Sequence, residues 1–284
     1  MTAAHTLDVQ GLSVGYGART VIEHLDLRVP MGGISVIVGA NACGKSTLLR
    51  SMSRLLAPRS GQVVLDGRAV HRTPAKELAR TLGLLPQSPS APEGITVADL
   101  VGRGRHPHQG LFSRWTPADD QAVADALTAT DTAALADRPV DELSGGQRQR
   151  VWIAMALAQQ TDVLLLDEPT TFLDVSHQLE VLDLLTDLNR SRGTTIVIVL
   201  HDLNLAARYA DHLIALTEGR VHALGTPAEV LTEDTIRAVF GLESRVVVDP
   251  TSNKPLMLPL GRHHTMAEER ADSVAAAPVL RPSA

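Results

Sequence analysis

The sequence predicts an α/β protein with a mainly parallel core sheet, an antiparallel β subdomain ahead of it and an α-helical insertion. Three observations carry this reading. A glycine-rich loop, residues 39–47, lies between the apolar run Ile34–Val38 and the helically spaced Leu48, Leu49, Met52, Leu55 and Leu56. The runs Val163–Leu166 and Ile196–Leu200 carry no polar alternation, as expected for central parallel strands covered on both faces by helices. From about Val97 to Gln160 the chain is poor in strand formers and rich in Ala, Leu and Gln, which reads as the helical insertion.

In chain order, Leu7–Val14 is the first expected strand, and Gly15, Gly17, Pro30 and Gly32-Gly33 punctuate the short strands of the antiparallel part. Further strands are expected at Ile34–Val38, Val63–Leu65, Leu82–Leu85, Val163–Leu166 and Thr195–Leu200. A helix is expected from Gln147 to about Ala158. One domain is expected over residues 5–245, with 97–160 inserted in it, followed by an extension at 246–261. The Ala/Pro-rich, charged end at 262–284 is expected to be disordered. There is no internal repeat.

Composition narrows the function classes. The 284 residues are 44% hydrophobic, enough for a substantial core. A formal net charge of −6, from 26 basic and 32 acidic side chains, argues against a protein that coats nucleic acid. The single cysteine, Cys43, leaves no disulfide framework and suits a reducing compartment. No run reaches the roughly 18 apolar residues of a membrane span, and the opening Met1-Thr2-Ala3-Ala4-His5 lacks the parts of a signal peptide. Any membrane role is therefore expected through a partner.

Gly39-Ala40-Asn41-Ala42-Cys43-Gly44-Lys45-Ser46-Thr47 is a complete phosphate-binding loop. Such a loop aims backbone N–H groups and the positive end of a helix at one spot, so it binds a nucleoside triphosphate. Lys45 is expected on the β/γ-phosphates and Ser46 on Mg²⁺. A thiol beside phosphates at a helix N-terminus is also expected to favour the thiolate, so Cys43 should alkylate quickly unless nucleotide shields it. Further on, the apolar strand Val163–Leu166 delivers Asp167 and Glu168. Asp167 suits the Mg²⁺ shell, and Glu168 suits the orientation or deprotonation of the water that attacks the γ-phosphate.

Between these motifs lies Leu143-Ser144-Gly145-Gly146-Gln147-Arg148-Gln149-Arg150. With it, the chain resembles the ATP-binding-cassette (ABC) ATPases, whose fold is that of the P-loop NTPases. The resemblance implies that Ser144, Gly145 and Gly146, with Gln147 beside them, meet ATP held by the other subunit of a head-to-tail dimer. It implies that Gln87 touches Mg²⁺ and water, that His201 bonds the γ-phosphate, that Asp174 crosses the dimer interface and that Tyr16 stacks on adenine. Within the family, the phosphate loop, Gly102-Arg103-Gly104-Arg105-His106-Pro107-His108-Gln109, Gly225–Thr232 and Phe240-Gly241-Leu242 resemble the ferric-siderophore importers and their haem and cobalamin relatives. His106 and His108 have no carboxylate or cysteine cluster beside them, so a solvated or permease-contacting loop is expected there, and Arg103 and Arg105 read as surface charges.

The resemblance thus implies ATP and Mg²⁺ as cofactors, a second ATPase subunit, permease subunits and, indirectly, an extracytoplasmic binding protein. The place of action it implies is the cytoplasmic face of a membrane. A soluble translation or repair ATPase would bring a second cassette or long heptad segments, and neither is present. A non-hydrolysing regulatory protein is disfavoured by intact Lys45, Asp167, Glu168 and His201.

Overall fold

The computed structural model describes residues 5–110, 115–171, 173–261 and 263. The tail expected to be disordered lies outside these residues, apart from His263. In chain order the elements are β1 (Leu7–Tyr16), β2 (Arg19–Val29), β3 (Ile34–Val38), α1 (Lys45–Met52), β4 (Ser60–Leu65), β5 (Arg68–Ala69), α2 (Ala75–Thr81) and β6 (Leu82–Leu85). The insertion supplies α3 (Val97–Gly102), α4 (Pro117–Ala129) and α5 (Gly145–Ala158). There follow β7 (Val163–Asp167), α6 (Val175–Arg192), β8 (Thr195–Val199), α7 (Leu203–Tyr209), β9 (His212–Thr217), β10 (Arg220–Gly225), α8 (Pro227–Val230), α9 (Glu233–Phe240), β11 (Ser244–Val248) and β12 (Pro255–Pro259).

The main sheet runs β10-β9-β3-β8-β7-β6, and all its pairs are parallel except the edge strand β10. A second sheet, β2-β1-β4-β5, is antiparallel throughout. Side chains of the central strands alternate between two cores. Val36, Leu164, Leu166, Ile196 and Ile198 pack with α3, α5 and α6, whereas Ile37, Val163, Leu165, Val197 and Val199 pack with α1 and the antiparallel sheet. This two-sided burial explains why the runs at β7 and β8 contain no polar position.

Register then fixes the site. Ile37 of β3 and Asp167 of β7 both pair with Val199 of β8, and Leu85 of β6 pairs with Leu166. The residues just beyond these pairs, Gly39, Glu168, His201 and Gln87, therefore emerge side by side at the carboxyl edge of four neighbouring strands. Ligands of open parallel sheets bind at this edge.

Several expectations are corrected. The helix after the phosphate loop stops at Met52, because Ser53 and a left-handed Arg54 (φ 69°) turn the chain away, leaving Leu55 66% exposed. β9 and β10 were not expected as strands; the turn at Glu218-Gly219, both at positive φ, closes that hairpin. Arg105 is buried at 6% exposure rather than a surface charge. It donates to Asp119 Oδ1 at 2.9 Å, to the Ala158 carbonyl at 2.8 Å and to Gln160 Oε1 at 3.0 Å, tying α4 to the end of α5. His108 Nε2 lies 2.8 Å from the Gln159 carbonyl, a structural contact on the same surface.

Candidate active site

Gly44 begins α1 at φ 111°, a conformation that favours glycine, and no side chain caps this helix. Its first N–H groups are left for a ligand. Gly39 is required by crowding: a Cβ there would lie 2.3 Å from the Leu216 carbonyl of β9 and 2.7 Å from Cys43 Sγ. The same contact shows where the thiol points. Cys43 is 7% exposed and belongs to the core beneath the loop, and burial pushes its thiol pKa up despite the lowering influence of Lys45. The expectation of a favoured thiolate is therefore corrected.

Lys45 is 5% exposed, and its Nζ donates to the carbonyls of Gly39 at 2.9 Å and Ala40 at 3.0 Å. Ser46 Oγ donates to Asp167 Oδ1 at 2.9 Å. Asp167 is 2% exposed; burial raises its carboxyl pKa, the Ser46 hydrogen bond opposes that, and the Glu168 charge adds to it. A hydroxyl beside a desolvated carboxylate is a donor set of hard oxygens that suits Mg²⁺. Among the described residues no group of three or more His, Cys, Asp or Glu is placed to hold a metal.

Glu168 is held from several sides. Its backbone is left-handed, at φ 53°, unusual for a non-glycine residue, and it is 8% exposed. Gln87 Nε2 donates to its Oε2 at 2.5 Å, and Thr171 Oγ1 donates to the same oxygen at 3.2 Å. His201 Nε2 stands 2.6 Å from Oε1. Three elements thus aim one carboxylate.

A cleft of about 360 Å³ joins these parts, lined by Tyr16, Arg19, Asn41, Lys45, Glu168 and His201 among others. Ala42, Gly44, Ser46 and Thr47 complete its phosphate-loop wall. Tyr16 is 45% exposed, and its hydroxyl accepts from Arg50 Nη1 at 3.3 Å. Sequence reasoning missed Arg19, Arg50 and Thr171. Arg50 stands four residues after Ser46 on α1, a spacing that could have signalled it. Arg19 and Thr171 leave no comparable trace.

The remaining predicted residues lie elsewhere. Ser144 caps α5: its Oγ accepts from Gln147 N at 3.3 Å, and Gln147 Oε1 accepts from Ser144 N at 3.2 Å. Nothing lies within 4 Å of a Cβ placed on Gly145. Asp174 caps α6, accepting from the His177 backbone N–H at 3.0 Å and from the Ser176 hydroxyl at 2.8 Å. These bonds and the His177 ring beside it hold the Asp174 carboxyl down to about 2. Neither Ser144, Gly145, Gly146, Gln147 nor Asp174 lines the cleft.

Residues 22–171 match the ABC transporter family. A probable siderophore transport ATP-binding protein of Bacillus subtilis is 53% identical over 265 residues, covering 93% of this chain and 96% of that protein. The ferric enterobactin transport ATP-binding protein of Escherichia coli is 53% identical over 251 residues, covering 88% and 93%. A solved metal-chelate type ABC transporter in an inward-facing conformation superposes with TM-score 0.78 at 30% identity, covering 92% of this chain and 99% of that one. ABC importer ATPases work as dimers with membrane permease subunits; among the described residues here, no helix is long and apolar enough to cross a membrane. With its phosphate loop, paired carboxylates and signature loop set in this fold, the chain belongs to the ABC transporter family as an ATP-binding subunit.

Proposed function

We propose that this chain hydrolyses ATP to drive an importer of ferric siderophores, working at the cytoplasmic face of a membrane through permease subunits and, indirectly, an extracytoplasmic binding protein. The observation that carries the reading is the convergence on Glu168 of Gln87, Thr171 and His201, beside the Lys45 loop. The similarity to siderophore-transport relatives over nearly the whole chain supports the cargo class.

In this reading ATP enters with adenine against Tyr16 and its phosphates over residues 39–47. Lys45 exchanges its loop carbonyls for β/γ-phosphate oxygens. Ser46, Asp167 and Gln87 would hold Mg²⁺, which supplies charge neutralisation across the β- and γ-phosphates. Glu168 accepts the proton of the attacking water, and His201 turns to the γ-phosphate. Ser144, Gly145 and Gly146 of one protomer donate to the γ-phosphate held by its partner, with Asp174 at the same interface. This division explains why the signature loop does not line its own cleft. Closure on ATP and reopening after hydrolysis then shift the permease between states.

Uptake of labelled ferric siderophore, haem and cobalamin in a deletion strain tests the assignment. Siderophore uptake is lost, returns with the wild-type gene and does not return with Glu168→Gln. Unchanged siderophore uptake with lost cobalamin or haem uptake overturns the cargo while leaving the ATPase intact.

A further inference from the structure

One side chain bridges the N-terminal ends of α5 and α6. His177 sits in the first turn of α6, and its Nδ1 lies 2.7 Å from Asp174 Oδ1. The face of its ring lies against the first turn of α5. A Cβ placed on Gly146 would be 3.3 Å from His177 Cδ2 and 3.6 Å from Nε2. One helical turn deeper the same two helices are joined again, by Arg150 Nη1 to Glu180 Oε2 at 2.9 Å. Gly146 and Arg150 are four residues apart and His177 and Glu180 three apart, so each pair shares one face of its helix. The two contacts form a seam.

We infer that His177 is a positioning residue that holds the signature loop and the Asp174 loop in one fixed relation, so that both reach the partner's nucleotide together. This rests on the composite-site reading given above. The chemistry follows from geometry. An imidazole is flat enough to lie on a glycine while its ring N–H bonds a carboxylate on the other side, and Gly146 leaves room for it. Without the ring, Asp174 keeps its bonds to Ser176 and to the His177 backbone, so α6 stays capped. What is lost is the ring's bond to Asp174 and, with it, the contact it carries to the first turn of α5; Arg150 and Glu180 still join the helices one turn deeper. Signature donors act on charge that develops in the transition state, so their misplacement lowers kcat more than nucleotide affinity.

The test compares His177→Ala and His177→Asn with wild type, measuring kcat, KM and the affinity for ADP, which the phosphate loop binds without the partner. Asn presents an amide N–H close to where Nδ1 stood. His177→Ala lowers kcat about tenfold, the rate equivalent of one charge-assisted hydrogen bond, while ADP affinity holds. His177→Asn recovers most of that loss. Wild-type turnover in His177→Ala overturns the inference, as does His177→Asn as slow as His177→Ala. A fall in ADP affinity matching the fall in kcat overturns it too, since it marks damage at the phosphate loop. Ser144→Arg, assayed alongside, separates the two levels. If it turns over at the wild-type rate, the composite site itself fails; if it is inactive while His177→Ala is normal, only the role of His177 fails.

Discussion

Glu168 is held from several sides in the cleft, with left-handed backbone and contacts from Gln87, Thr171 and His201. Glu168→Gln keeps the shape of the side chain and removes its ability to take a proton. ATP affinity is retained, and turnover falls on the order of 10²–10⁴-fold. Lys45→Ala fails earlier, at nucleotide binding, because it deletes the charge facing the β/γ-phosphates. Equilibrium binding of a fluorescent ATP analogue beside phosphate release separates the two. Cys43 illustrates how placement overrules motif. Its position in the loop suggested a reactive thiolate, but the residue points down toward Gly39 and the core, and its pKa is raised by burial. Alkylation of the native protein is therefore slow, and equally slow with and without Mg-ATP. Rapid labelling blocked by nucleotide would restore the thiolate reading. That Lys45, Ser46 and Glu168 share one cleft was legible from the spacing of their motifs, and Tyr16 and His201 from the family resemblance. Which way a side chain turns was not, because inward and outward orientations leave the same letters.

Among the elements, those set by local rules were the most readable. β3 and β6 fall at the expected residues, since uninterrupted apolar runs between turn signals leave little choice. β9 to β12 escaped because their residues become strands only by pairing, β9 beside β3 and β11 with β12, contacts distant or faint in sequence. Arg105 escaped for a related reason: its partner Asp119 belongs to the capping box of α4, and only packing brings the two together. Each of these side chains is 7% exposed. Hydrogen bonds from Arg105 and Thr116 hold the Asp119 carboxyl below the usual carboxylate range, against the opposing effect of burial. Asp119→Ala leaves the guanidinium buried without its counter-charge and destabilises the fold by about 3 kcal/mol, read from urea unfolding. The pH dependence has a fixed sign. Because the folded pKa is depressed, this stabilisation is present above the ordinary aspartate value and is lost as pH falls through the folded one. The variant and wild type therefore converge in stability at low pH. A difference that stays constant down to low pH would show that packing, not charge, carries the effect.

At the scale of the whole molecule, the signature loop and the cleft stand apart on one chain. The cleft with Lys45 and Glu168 stands at the edge of the parallel sheet, and Ser144 with Gly145 begins a helix of the insertion without lining that cleft. A chain that completes its site only with a second copy hydrolyses ATP at a rate that depends on its own concentration. Mixed dimers give a sharper test. With Ser144→Arg in one subunit and Lys45→Ala in the other, one site keeps both a working phosphate loop and a working signature loop, while the other site loses both. With the two substitutions in the same subunit, each site lacks one component and none is complete. The arrangements contain the same substitutions in the same number, so differences in folding or expression cancel. The split dimer retains up to half of the wild-type rate, reduced further by any coupling between sites, and the same-subunit dimer is inactive. The reverse pattern, an active same-subunit dimer beside an inactive split dimer, would mean that each chain supplies its own γ-phosphate donors.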